Sequence, residues 1–364
     1  MARTPDLLTS AFRRPESALS LDPAGWDLLV RQARRAQLLA RLAALLEDGR
    51  LIERVPAAPR LHLESARTLA RKYVRDVRWE AMQLRRALAT VGQPLILLKG
   101  AAYALAGLPA AEGRLFSDID ILAPRDKLAD VEQALDRAGW RQVKDDQYDQ
   151  SYYRRWMHEL PPLTHIVRNT SLDVHHTILP LTARPRIDAA RIIAAARPAP
   201  GADGALVLAP EDMTLHAAAH CFYDGFFQQG LRELVDIASL LRHFEGETDF
   251  WDRLVRRAFE LDLARTLWYA LRYVGRVLDA PAPEAALRAL APAAPPQPLR
   301  AAMDGLILRA LRPDHASVDQ LDAQASRFVL YIRSHYLRMP LGLLLPHLAR
   351  KAAMRLGQPR KRPA

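Results

Sequence analysis

The chain has 364 residues, of which half are hydrophobic and 26% charged, with a formal charge of +11. That length holds a sizeable core in two or three domains, and the composition excludes both a disordered chain and one that spans a membrane as a run of about 18 apolar residues. The positive charge suits a polyanionic partner, but Arg and Ala are abundant while Lys is scarce, the bias of a GC-rich genome, so charge alone assigns no function.

From Trp26 to about Thr90 apolar residues recur at three- and four-residue spacing, which predicts amphipathic helices, one stopping at Gly49 and a long one over Leu61 to Leu88. Their Arg-rich outer faces, with Arg31, Arg34 and Arg35, read as solvated surface. Leu95 to Leu98 predicts a short apolar strand, followed by a turn at Lys99-Gly100 and a helix starting near Ala101. Phe116 to Leu122 is the next strand, and Arg125 to Ala138 a helix ended by Gly139. Strand-like runs then cover Gln150 to Trp156, Leu163 to Val167 and Ser171 to Ile178. The Pro- and Ala-rich piece from Arg197 to Ala209 reads as a linker or exposed loop, and the remainder is helical with a second Pro-rich break from Ala280 to Pro298. The expected fold is α+β: a small mixed-sheet core at residues 91–200, flanked by N-terminal helices over 1–90 and a C-terminal helical domain over 205–364 with a basic tail.

Two observations carry chemistry. In Asp118-Ile119-Asp120 the alternation of a strand puts both carboxylates on one face and the isoleucine on the other. Paired carboxylates suit a hard cation such as Mg²⁺, which binds through one or two of them plus substrate phosphates. Upstream, Gly100 follows a strand and precedes a helix, where backbone N–H groups can approach phosphate oxygens. A third segment, Leu172-Asp173-Val174-His175, places Asp173 and His175 on one strand face. Together they point to phosphoryl or nucleotidyl transfer, in which positioning and electrostatics do most of the catalysis.

Lys99-Gly100, Arg114, Asp118-Ile119-Asp120 and Leu172-Asp173-Val174-His175 resemble the catalytic signature of the nucleotidyltransferase superfamily typified by DNA polymerase beta, and more narrowly a bacterial family of uncharacterised nucleotidyltransferases. The resemblance covers about Leu95 to Leu179, with a looser match through His216, His220 and the helix LRELVDIASLL. It implies an enzyme that moves NMP from an NTP such as ATP to a hydroxyl acceptor, with a small molecule, a protein and RNA all open as acceptors. It also implies two Mg²⁺ ions, replaceable by Mn²⁺, on Asp118, Asp120 and Asp173, with Asp173 the base toward the acceptor. Lys99, Gly100, Arg114 and Ser117 are the implied nucleotide contacts. One departure is Ala101, which stands where many members carry a Ser that contacts phosphate; Lys99 and Arg114 are the cations that would compensate.

Other readings stay open. A haloacid-dehalogenase-type phosphatase also uses a DxD strand but wants Thr or Val where Leu122 stands, and a sugar-nucleotide glycosyltransferase leaves Lys99-Gly100 and Asp173 unexplained. A non-catalytic nucleotide-binding or scaffold protein that keeps the fold is the alternative from a different class. His216 and His220 have Zn-ligand spacing without a third ligand and read as helix core; His158, His165, His175 and His176 suggest a metal cluster, but strand alternation separates His175 from His176. The C-terminal run from Met339 to Met354, with its basic tail, reads as a packed segment whose end makes weak polyanion or membrane-surface contact, with no integral membrane segment. Cys221 is the only cysteine, so nothing here calls for an oxidising compartment, and the N-terminal stretch lacks the apolar core of a signal peptide, so the expected location is the cytoplasm.

Overall fold

Apolar periodicity sets the N-terminal helices: α1 (Leu7–Arg13), α2 (Pro23–Arg35), α3 (Leu39–Asp48) and the 33-residue α4 (Ala57–Ala89). Short acidic caps start the first two, with Asp6 accepting from the Thr9 N–H and Asp22 from the Gly25 N–H. Along α4 the buried residues Leu63, Ala70, Val77, Ala81, Leu84 and Leu88 form one stripe facing the rest of the molecule. The first predicted stop is confirmed at Gly49, although the left-handed turn belongs to the next residue, Arg50, at φ 55°. The computed structural model describes residues 6–142, 147–201, 204–223, 225–280, 282–318 and 320–346. The basic tail expected at the C-terminus falls in 347–364, outside them.

The central segment alternates β1 (Leu95–Leu98), α5 (Lys99–Leu105), β2 (Asp118–Leu122), α6 (Leu128–Arg137), β3 (Trp140–Gln142), α7 (Gln147–Trp156), β4 (Leu163–His165) and β5 (Ser171–His175). It continues through α8 (Ala189–Ala194), β6 (Arg197–Pro198) and β7 (Ala205–Val207). Among the described residues seven strands make one mixed sheet in the order β3-β4-β5-β2-β1-β7-β6. β1 lies near its middle, antiparallel to β2 and parallel to β7, which is why all four residues of Leu-Ile-Leu-Leu are buried. Each such side chain contributes roughly 1.5–3 kcal/mol through burial. The expected α+β class holds.

Three expectations change. The run ending at Trp156 is helix α7, not a strand: Tyr152 meets Trp156 one turn on at 5.6 Å between ring centroids, and Arg154 is paired to Glu132 of α6. The piece expected to be a linker supplies β6 and β7, and β7 completes the sheet against β1 through Leu95↔Ala205 and Leu97↔Val207. Strand β3, at the sheet edge after Gly139 (φ 92°), was absent from the sequence reading.

The C-terminal helices are α9 (Pro210–Tyr223), α10 (Gly230–Phe244), α11 (Phe250–Glu260), α12 (Ala264–Leu278), α13 (Glu284–Ala289), α14 (Gln297–Ala310) and α15 (Leu321–Arg338). α9 packs against α10, α11 and α12 and is buried over almost its whole length. α10 also packs on the 3-10 turn Pro109–Ala111, just before the loop that leads into β2. That contact brings the helical region against the Asp-bearing face of the sheet. Among the described residues no helix is long and apolar enough to cross a membrane.

Candidate active site

Strand register places the three aspartates. β2 and β5 run parallel with Asp120 directly beside Asp173 and Asp118 beside Ser171, while Leu98 of β1 flanks Asp120 on its other side. Asp118 and Asp120 share a face by two-residue alternation, and Ile119 and Ile121 point into the core at 1% exposure. The three carboxylates thus lie on adjacent strands at one place on the sheet.

Lys99, the first residue of α5, sits at φ 46°, a left-handed conformation that costs a non-glycine residue roughly 1 kcal/mol or more. Its Nζ lies 2.8 Å from Asp120 Oδ1, and His175 Nε2 lies 2.8 Å from the same oxygen. Burial would push the Asp120 carboxyl up, but the Lys99 ammonium and then His175 outweigh it and hold it well below the usual carboxylate range. Burial pushes His175 down against the pull of Asp120, so its imidazole is neutral and donates Nε2–H to the carboxylate. Asp173 moves the other way: burial first, then repulsion from Asp120 and Asp118, push it up to about 7. Two adjacent carboxylates held apart in this way are a familiar mark of an acid–base or metal-binding pair.

The hard oxygen donors of Asp118, Asp120 and Asp173 fit a divalent cation, and the repulsion that raises Asp173 is what such a cation would relieve. Beside them His158, Glu159 and His175 bring ligand atoms within 4.8 Å of one another. Glu159 reaches this position through its bridge to His175. Among the described residues Nδ1 of both His158 and His175 is buried without a hydrogen-bond partner. His176 turns instead to the Met157 carbonyl and His165 to that of Ala138, as strand alternation requires.

Gly100 is buried where a Cβ would stand 2.7 Å from the Phe116 ring and 2.8 Å from Arg114 Nε, so only glycine lets these two side chains close over the turn. Arg114 is ion-paired to Asp236 of α10 and lies 5.6 Å from the Tyr103 ring centroid. Ser117 Oγ donates to Asp118 Oδ1 at 2.9 Å.

Lys99, Gly100, Arg114, Ser117, Asp118 and Asp120 line one cleft of about 450 Å³, a volume suited to a small-molecule ligand. Asp173 is not among its lining residues and joins the group through the Asp120 register. The opposite wall comes from the C-terminal helices: His220, Phe226, Gln228, Gln229, Arg232 and Glu233. His220 therefore differs from the helix-core expectation that His216 meets: it reaches the cleft and pairs with Glu233 at 3.2 Å, whereas His216 is 3% exposed. Arg232 holds Gln37 through Nη1, its Nε is buried without a hydrogen-bond partner among the described residues, and burial, then Arg114, push it down to about 10. Sequence reasoning missed Arg232 and Glu233. The one signal present was the polar Gln228-Gln229 pair ahead of an otherwise amphipathic helix.

The profile of a family described as uncharacterised nucleotidyltransferase matches residues 22–279, well over half of the chain. No curated protein and no solved structure matches it.

Proposed function

The chain belongs to the family of uncharacterised nucleotidyltransferases, and from that premise we propose a Mg²⁺-dependent enzyme of the DNA polymerase beta-like superfamily that transfers NMP from an NTP to an acceptor hydroxyl. The observation that carries this reading is the Asp120–Asp173 register pair, with Asp118 two residues away, at the edge of a cleft walled by Lys99, Arg114 and Arg232. Acidic groups for a cation and cationic groups for a triphosphate are what nucleotidyl transfer needs in one place.

In this mechanism Arg114, fixed by Asp236 and the Tyr103 ring, and Arg232, with its spare Nε–H, bind the triphosphate. Lys99 keeps Asp120 ionised and lends positive charge to the same cleft. Asp118, Asp120 and Asp173 would hold Mg²⁺, which when bound polarises the α-phosphate and offsets charge on the leaving pyrophosphate. Asp173, beside Asp120 in the strand register, takes the proton of the acceptor hydroxyl as its oxygen bonds to the α-phosphorus and the bond to pyrophosphate breaks.

One feature favours a second reading, nucleotide binding without transfer: Ala101 leaves the turn without a serine hydroxyl. Thermal unfolding tests the shared premise. Mg²⁺ with an NTP should raise Tm by several degrees in the wild type and not in Asp118→Asn/Asp120→Asn, while NTP without a divalent ion should do little. No response to any NTP with Mg²⁺ or Mn²⁺ would contradict both readings.

A further inference from the structure

Ser117 and Asp118 belong to the walls of two cavities. Besides the cationic cleft, a second space of about 480 Å³ opens on their other side, between α4 and the starts of β2 and β5. Its walls are Tyr73, Asp76, Val77 and Trp79 of α4, and Arg168 to Thr170 of the β4–β5 turn. None of the sequence motifs accounts for it.

The cavity is built. Arg168 donates to both oxygens of Glu80 at 2.6 and 3.0 Å, Thr170 donates to the same carboxylate at 2.8 Å, and Glu80 is only 5% exposed. The Arg168 guanidinium also lies over two indole rings, 5.3 Å from the Trp79 centroid and 5.5 Å from that of Trp140. This frame fixes the floor of the cavity, while Trp79 remains 45% exposed, a large aromatic surface at its mouth.

Position and charge select the occupant. In nucleotidyl transfer the attacking oxygen and the leaving pyrophosphate lie roughly in line on opposite sides of the α-phosphorus. With the triphosphate in the cationic cleft, the second cavity, which shares the Ser117–Asp118 wall, offers the attacking group a separate approach to the carboxylates. In its walls Glu80 matches Arg168 and the neighbouring Lys72 matches Asp76, which leaves Asp118 as the remaining charged wall residue although the chain as a whole is basic. Among the described residues these walls offer a phosphorylated compound or nucleic acid no unmatched cation. A flat or apolar ring would instead gain contact with the indole.

We propose that this second cavity is the acceptor site and takes a small, uncharged or cationic hydroxyl compound whose flat face lies on Trp79. The inference rests on the nucleotidyl-transfer reading. The acceptor oxygen forms the new bond to the α-phosphorus, its proton passes to the carboxylates of the site, of which Asp118 borders the cavity, and the bond to the β-phosphate breaks with its electron pair leaving on pyrophosphate.

The test offers the full-length protein each α-labelled NTP with Mg²⁺ and two sets of acceptors. One holds neutral and aminated sugars, nucleosides and aromatic amino alcohols; the other holds sugar phosphates and RNA with a free 3′ hydroxyl. Label should enter the first set. Trp79→Ala should raise the acceptor KM by about tenfold, the worth of one stacking contact, and change nucleotide affinity by less than about threefold. Asp76→Lys, at an exposed helix position, should lower the preference for aminated over neutral acceptors by about tenfold. Label only in the second set, label in neither set while Mg²⁺–nucleotide still binds, or a Trp79→Ala defect confined to nucleotide affinity would each overturn the acceptor assignment. Absence of any Mg²⁺-dependent nucleotide binding would instead contradict the nucleotidyl-transfer reading beneath it.

Discussion

Asp120 and Asp173 stand side by side in register and are pushed in opposite directions, the first below the carboxylate range by Lys99 and His175, the second up to about 7 by burial and its acidic neighbours. For Asp173 the sign of the pH effect follows. Its folded form holds a proton that the unfolded chain has already released, so its contribution to stability is full below the ordinary carboxyl range and is lost as pH rises through about 7. Asp173→Asn should therefore stabilise the metal-free protein above about pH 7, and the gain should fade below about pH 4. Urea unfolding of both proteins across that range checks it, and a gain independent of pH would remove the electrostatic origin of the shift. The same residues mark how far the site was legible. That Asp118 and Asp120 share a face follows from strand alternation, a rule local to a few residues, whereas the placing of Asp173 beside them was implied only by the family resemblance and lies in the β2–β5 register. Arg232 and the cleft-facing role of His220 follow from neither, because only the packing of α9 and α10 against the sheet turns ordinary helix residues toward the carboxylates.

At the scale of elements, the loop between α5 and β2 must be held in place for Arg114 to reach the cleft. Gly113, at φ 67°, presses on α3: a Cβ there would lie 2.4 Å from the Ala40 and Arg41 backbone, which cannot yield as a side chain can. Gly107 has the same φ and open space around it. Gly113→Ala should cost about 3 kcal/mol or more, combining left-handed strain with the clash, and weaken nucleotide binding. Gly107→Ala should cost only about 1–2 kcal/mol and leave binding intact. Equal losses in chemical denaturation would show that conformation alone, not the contact with α3, sets the cost at Gly113. Elements were legible where their signal is local. The stripe of α4 and the apolar run of β1 are written in spacing and composition. β7 is not: Ala205 to Val207 sits in a Pro- and Ala-rich stretch and becomes a strand because β1 offers it an unpaired edge. α7 carries aromatic residues that favour strands in isolation, and its i, i+4 aromatic contact and its tie to α6 decide for helix.

For the molecule as a whole, the Arg114–Asp236 pair joins the loop ahead of β2 to α10, with both side chains nearly buried at 14% and 8% exposure. Asp236→Ala leaves a buried guanidinium unpaired and should cost about 3–5 kcal/mol while weakening nucleotide binding. Arg114→Met/Asp236→Leu should recover most of that stability without recovering affinity. A double variant that binds nucleotide like the wild type would take Arg114 out of the site. The cleft exists only where the sheet and the C-terminal helices meet, so the family match across residues 22–279 spans both of its walls. The reaction itself is read most directly by incubating the protein with Mg²⁺, a cell extract as the acceptor source, and NTP labelled at either the α- or the γ-phosphate. The account predicts that α-label becomes bonded to an acceptor while γ-label leaves as pyrophosphate, and that Asp120→Asn abolishes both. Transfer of the γ-label, or no transfer of either label by a protein that binds Mg²⁺–nucleotide, would contradict it.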